Sequence, residues 1–204
     1  MTHFLEHGTG RDSPGVQTRE TWADRSSVLI VPGLRNSGPT HWQSWFETQL
    51  PDTRRVEQAD WELTCLSEWA ARVAAAIDAA SQPVWIVAHS FGCLASVTAA
   101  FTRPQKIRGA LLVAPADPDR FGEPPVLLEE RLAFPSLVVA SRNDPWVNQS
   151  TARYWARIWG SGFVDVGAAG HINCDSGHGP WPEGLRLFEK LKRIAAGEEA
   201  APIA

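Results

Sequence analysis

The sequence predicts one α/β domain: a mostly parallel sheet of about six strands with helices on both faces and a minimal cap or none. Short apolar runs alternate with helix-periodic segments along the chain. Several of those runs are continuous Val, Ile and Leu, the pattern of strands buried on both faces. The connections are short, and no linker or internal repeat divides the 204 residues.

Residues 1–26 are polar and aperiodic, an N-terminal extension of doubtful order. The domain is expected over residues 27–196, with strands at 27–31, 54–57, 84–88, 110–114, 137–141 and 163–166. Helices are expected where apolar residues share a face. Trp42, Trp45, Phe46 and Leu50 form one such set, and Leu66, Trp69, Ala70, Val73 and Ile77 a second. Phe91, Leu94, Ala95 and Thr98 form a third, and Tyr154, Trp155, Ile158 and Trp159 a fourth. Leu187, Phe188, Leu191, Ile194 and Ala195 close the series, and residues 197–204 read as a frayed tail. The 115–135 connection carries only a short helical pattern around Leu127–Leu132, leaving no room for a large lid.

Composition narrows the function. With 44% hydrophobic residues the chain is not generally disordered, and a formal charge of −4 argues against nucleic acid as a partner. No apolar run is long enough to span a membrane, and the N-terminus lacks the basic-then-apolar pattern of a signal peptide. Three cysteines, Cys65, Cys93 and Cys174, do not make a disulfide framework, so the cytoplasm is the expected location. Ten tryptophans against a single tyrosine are unusual, and indoles this large must fill a core or wall a cleft.

In parallel sheets ligands bind beyond the carboxyl ends of the strands, so the residues just after each apolar run are the informative ones. The run 84–88 is followed by His89-Ser90-Phe91-Gly92 and a helical pattern. Ala88-x-Ser90-x-Gly92 fits the nucleophile elbow G-x-S-x-G except at its first position, where one methyl group is added. The run 137–141 is followed by Asp144, and the run 163–166 by His171. Ser90…Asp144…His171 is the order of nucleophile, acid and base in the α/β-hydrolases. Asp117, after the run ending at Ala114, is a rival acid, and His178 a rival base. His89, adjacent to Ser90 in a tight turn, is expected to be structural.

Two backbone N–H groups are expected to hold the oxyanion: that of Phe91, after the nucleophile, and that of Leu34, in the loop after the first strand. The stretch Gly33–Thr40 has the spacing of a phosphate-binding loop, but Pro39 replaces the necessary lysine. His171-x-x-Cys174 lacks a second pair at zinc spacing. Neither a cofactor nor a metal is expected. His41, Trp42, Asp117, Trp146 and Trp181 are candidates to line the substrate pocket, whereas Trp45, Trp69, Trp155 and Trp159 fall on apolar helix faces.

Five stretches carry a family resemblance: Pro32-Gly33…Thr40-His41-Trp42, Ala88-His-Ser-Phe-Gly92, Val113-Ala-Pro-Ala-Asp117, Ser141-Arg-Asn-Asp-Pro-Trp-Val147 and Gly170-His-Ile-Asn…Ser176-Gly-His-Gly-Pro-Trp-Pro-Glu-Gly184. Over about residues 27–195 the chain resembles the small serine hydrolases of the YdeN and retinoblastoma-binding-protein type. The resemblance implies an α/β-hydrolase fold, an esterase-like activity and Ser90, Asp144 and His171 as the triad. The L-x-C-x-E segment by which one family member was named is not matched, since Leu63-Thr-Cys65-Leu-Ser67 lacks the acidic end.

The expected activity is hydrolysis of small carboxylic esters, thioesters or amides through an acyl-enzyme, with a small-molecule acyl substrate as partner. A non-catalytic interaction module on a hydrolase scaffold and an acyl transferase using the same triad are the alternatives.

Overall fold

The computed structural model describes residues 27–122 and 128–203. Six strands, β1 (Val28–Val31), β2 (Thr53–Arg55), β3 (Val84–His89), β4 (Ile107–Val113), β5 (Ser136–Ala140) and β6 (Gly162–Asp165), pair in parallel throughout. Their order across the sheet is β2-β1-β3-β4-β5-β6. The helices are α1 (Trp42–Gln49), α2 (Leu66–Asp78), α3 (Phe91–Ala100), α4 (Gln149–Trp159) and α5 (Pro182–Ala195).

Side chains alternate across a strand, so a run of apolar residues feeds two cores at once. Leu29 and Val31 of β1, Ile86 and Ala88 of β3 and Leu112 of β4 pack on the face covered by α2, α3 and α4. Val28, Ile30, Trp85, Val87, Leu111 and Val113 pack on the other face, against Trp42 and Phe46 of α1 and Phe188 and Leu191 of α5. Trp69, Trp155 and Trp159 are buried in the first core as their helix faces predict, and half-buried Trp45 packs against the second. α3 is buried on nearly every side, so its alanines and glycine let it sit between α2 and the sheet.

Three expectations change. β4 starts at Ile107, ahead of the predicted 110, because Arg108 and Gly109 interrupt the apolar run while its pairing with β3 continues across a register shift. The segment expected to fray is tied back at Glu199 and Pro202. Glu199 pairs with Lys190 and Arg193, and Phe163 N–H of edge strand β6 donates to Pro202 O at 3.3 Å. The chain end thus supplies an acceptor to an otherwise open sheet edge. The helical pattern around Leu127–Leu132 begins outside the described residues, and residues 129–132 are not helical. The extension 1–26 also lies outside them.

β1 and β3 are adjacent, although the chain visits β2 on the far side of β1 between them. That reversal of strand order opens a crevice at their carboxyl ends.

Candidate active site

Ser90 stands where β3 turns into α3, with φ 51° and ψ −124°, a backbone state that an L-residue holds only under constraint. The constraint is visible. Ser90 N–H donates to Val113 O at 3.0 Å, and its carbonyl accepts from Cys93 N–H at 2.9 Å and Ala116 N–H at 3.2 Å. Gly92 is required because α3 starts against β1: a Cβ there would collide with Pro32 O and lie 2.5 Å from Val31 O. The Ala88 methyl, the departure from the elbow pattern, is fully buried in the core and meets no such obstacle.

The loops after β5 and β6 bring the other two residues to this serine. Asp144 Oδ1 accepts from Trp146 N–H at 2.8 Å and Val147 N–H at 3.3 Å, which leaves Oδ2 for His171 Nδ1 at 2.8 Å. His171 Nε2 lies 3.0 Å from Ser90 Oγ. With its Nδ1 proton directed at the carboxylate, the ring offers an Nε2 lone pair to the serine hydroxyl. The two loops are tied together by Ala169 N–H to Ser141 Oγ (2.9 Å), Gly170 N–H to Asn143 Oδ1 (2.8 Å) and Arg142 N–H to Gly167 O (2.7 Å). His89 Nε2–H donates to His171 O at 2.9 Å from behind.

The loop after β1 lies beside the elbow, since a Cβ on Gly33 would sit 2.8 Å from Ser90 Cβ and 3.5 Å from Phe91 N. Neither Leu34 N–H nor Phe91 N–H has a hydrogen-bond partner among the described residues. Beyond Leu34, Arg35 and Asn36 both adopt positive φ, 67° and 64°. Arg55 of β2 holds this turn from beneath, donating to Asn36 Oδ1 (2.9 Å) and Ser37 O (2.6 Å) while bidentate to Glu47 of α1 (2.8 and 2.8 Å). Gln43 adds the link to the sheet, binding Ser37 Oγ at 2.6 Å and donating to Val31 O and Val87 O.

A cavity of about 620 Å³ opens over Ser90 and His171. Of the pocket candidates, His41, Asp117 and Trp146 line it, as does Leu34. Trp146 is 57% exposed, its ring centroid 6.5 Å from that of His171. Trp42 and Trp181 do not line it: both are buried in the second core, 5.2 Å apart edge-to-face, and the Trp42 indole N–H donates to Ile172 O at 2.8 Å. Trp42 belongs to the same helix face as Phe46, and Gly184 leaves the space that Trp181 fills. The rival acid Asp117 instead accepts from Asp119 N–H. The rival base His178 contacts Ser176 Oγ at 3.2 Å, outside the lining. His89, Arg120, Phe121 and Asn173 line the cavity and were not singled out from sequence for that part. Only Phe121 carried a usable signal, as a large apolar residue in a polar turn just past a strand end.

Burial, with help from the Arg55, His171 and His178 charges, lowers the His41 pKa to about 4, so this ring is neutral near pH 7. His89 is held well below its ordinary value, mainly by burial. Burial also pushes the Cys93 thiol well up, which keeps it protonated and inert beside the serine.

The sequence profile described as serine hydrolase matches residues 28–190. A protein described as a YdeN-like hydrolase from Pectobacterium atrosepticum is 39% identical, with TM-score 0.78 over 83% of this chain and 91% of that one. The ydeN product of B. subtilis, at 19% identity, superposes with TM-score 0.69 over 82% of this chain and 98% of that one. A thermophilic esterase from Thermogutta terrifontis, 16% identical, shares the fold with TM-score 0.62, covering 86% of this chain and 85% of that one. No curated protein matches the sequence. The strained serine at a strand-to-helix turn, the parallel sheet and these likenesses agree: the chain belongs to the serine hydrolase family, as a small single-domain α/β-hydrolase of the YdeN type.

Proposed function

We propose that this enzyme hydrolyses small carboxylic esters, with thioesters and amides as chemically related substrates, through Ser90, His171 and Asp144. The observation that carries the reading is the unbroken run of contacts from Ser90 Oγ to His171 Nε2 and from His171 Nδ1 to Asp144 Oδ2, assembled from three strand ends in one cavity. As Ser90 Oγ bonds to the substrate carbonyl carbon, its proton passes to His171 Nε2, and Asp144 stabilises the imidazolium. The carbonyl oxygen becomes an oxyanion held by Leu34 N–H and Phe91 N–H, each worth roughly 3–4 kcal/mol of barrier. Collapse breaks the bond to the leaving group, which takes the proton from His171. Water, deprotonated by the same nitrogen, then releases the acid and restores Ser90.

These steps use no cofactor. The Thermogutta esterase, alike in fold, binds butyrate, and the cavity volume here suits acyl groups of that scale. No helix among the described residues is long and apolar enough to cross a membrane, and three free cysteines fit a reducing, cytoplasmic setting. The test is a panel of p-nitrophenyl esters of increasing acyl length, assayed with wild type and Ser90→Ala. Hydrolysis of the short esters, lost in the variant, is expected. Equal rates in the two proteins would refute the assignment.

A further inference from the structure

His41 is 5% exposed, lines the catalytic cavity and has one of its two ring nitrogens fully accounted for. Nδ1 accepts Gln43 N–H at 3.1 Å, capping the first turn of α1. A nitrogen that accepts carries no proton, so the ring proton is on Nε2. That Nε2–H has no hydrogen-bond partner among the described residues and stays open to the cavity that its ring lines. The cap does not need that proton, because capping uses only the accepting nitrogen, and an Asp carboxylate caps helices well with no donor at all.

The surroundings limit what the donor can meet. His89 stands next to it, ring centroids 5.1 Å apart, with its own Nε2–H spent on His171 O. His171 follows at 4.9 Å from His89. The three rings form one wall ending at the serine. Of the charged lining residues, Arg35, Arg120 and Asp175 are exposed and Asp117 is half-buried, while the wall made by the His41 and His89 rings is neutral near pH 7 and offers directional polarity without a charge.

Building on the ester-hydrolase reading, we propose that His41 is a substrate-binding residue whose Nε2–H donates to an uncharged oxygen of the substrate other than the scissile carbonyl. The preferred substrates are then small esters bearing an ether, hydroxyl or keto oxygen, rather than plain alkyl esters. Such a fixed, neutral donor rewards the oxygen-bearing substrate and leaves an unpaired group against its hydrocarbon analogue, which is how polar pockets discriminate.

The test uses two pairs of esters that exchange one oxygen for one methylene. On the acyl side these are p-nitrophenyl methoxyacetate and butyrate; on the alcohol side, 2-methoxyethyl and butyl acetate. Each pair is assayed with wild type, His41→Ser, which retains a cap, and His41→Phe, which retains a ring. The readout is the oxygen-to-methylene ratio of kcat/KM in each variant relative to wild type, a comparison in which the intrinsic reactivity difference within a pair cancels. In at least one pair this ratio is expected to fall about tenfold or more in both variants, while labelling of Ser90 by a fluorophosphonate persists. Ratios unchanged in both pairs would overturn the proposal, as would an equal loss on all four esters, which would place the donor on the scissile oxygen. A wild type that neither labels nor hydrolyses would instead fail the ester-hydrolase reading itself.

Discussion

Two of the strained turns beside the cavity, the elbow and the loop after β1, are held in opposite ways. At the elbow, Ser90 (φ 51°) is fixed by packing: α3 is buried almost all round, Gly92 abuts the β1 backbone, and Phe91 is wedged against Trp69 and Phe121 at 5.1 and 4.8 Å. In the loop after β1, Arg35 and Asn36 (φ 67° and 64°) have no such core around them, and Arg55, Gln43 and Ser44 hold the turn by hydrogen bonds. Each strained residue costs on the order of 1–3 kcal/mol, and it persists only where its surroundings over-determine it. The proposed nucleophile thus rests on apolar packing, and the proposed oxyanion donor, Leu34 N–H, lies beside a turn held by a polar network. The elbow should be sensitive to volume and the loop to the loss of a charged partner.

The largest expected effect is Gly92→Ala, because the obstacles are backbone carbonyls that cannot swing aside. Urea unfolding should show a loss of about 3 kcal/mol or more, and a stable, active variant would contradict the packing account. Next are Phe91 and Leu34, the two residues whose backbone N–H groups are proposed to hold the oxyanion. Phe91→Ala empties a fully buried site and should lower stability by about 3–5 kcal/mol, whereas Leu34, 36% exposed, should lose less than about 1 kcal/mol on the same change. In the folded fraction both should retain far more activity than Ser90→Ala, since neither loses its N–H.

Arg55→Met tests the polar side. It should reduce kcat about 10–100-fold with a smaller change in KM, because a displaced Leu34 N–H is missed most when negative charge develops. Arg55→Lys should recover little, as an ammonium cannot reproduce the fork that spans Glu47, Asn36 and Ser37. A KM effect alone would detach Arg55 from the chemistry. The smallest effect is acid sensitivity. The folded pKa of His41, about 4, lies below the ordinary 6.5, so the unfolded chain binds more protons between those values. Stability should therefore be intact above pH 6.5 and fall as pH drops toward 4, by about 1 kcal/mol over the first unit. His89 acts in the same direction. Removing His41 should flatten that acid limb in a melting-temperature profile against pH.

The same contrast governs what was legible in the sequence. Strands buried on both faces spell themselves out as Val, Ile and Leu runs, so the residues just past them, Ser90, Asp144 and His171, could be picked out individually. The polar support could not. Arg55 sits on a three-residue edge strand and Gln43 on a helix face next to Trp42, and nothing in their spacing says that they reach the same loop. Side-chain direction was equally hidden: Trp42 and Trp181 follow loops near the site yet turn into the core, while Trp146 turns out over His171. For Trp42 the helical spacing with Phe46 already pointed inward, a stronger signal than its nearness to a strand end.

The central claim is that Ser90 is the nucleophile of an acyl-transfer site. Its most direct measurement is intact-mass and peptide mass spectrometry after reaction with a fluorophosphonate. A single adduct is expected, on the peptide containing Ser90, absent in Ser90→Ala and strongly slowed in His171→Ala. An unmodified wild-type protein, or an adduct that survives Ser90→Ala, would contradict the account.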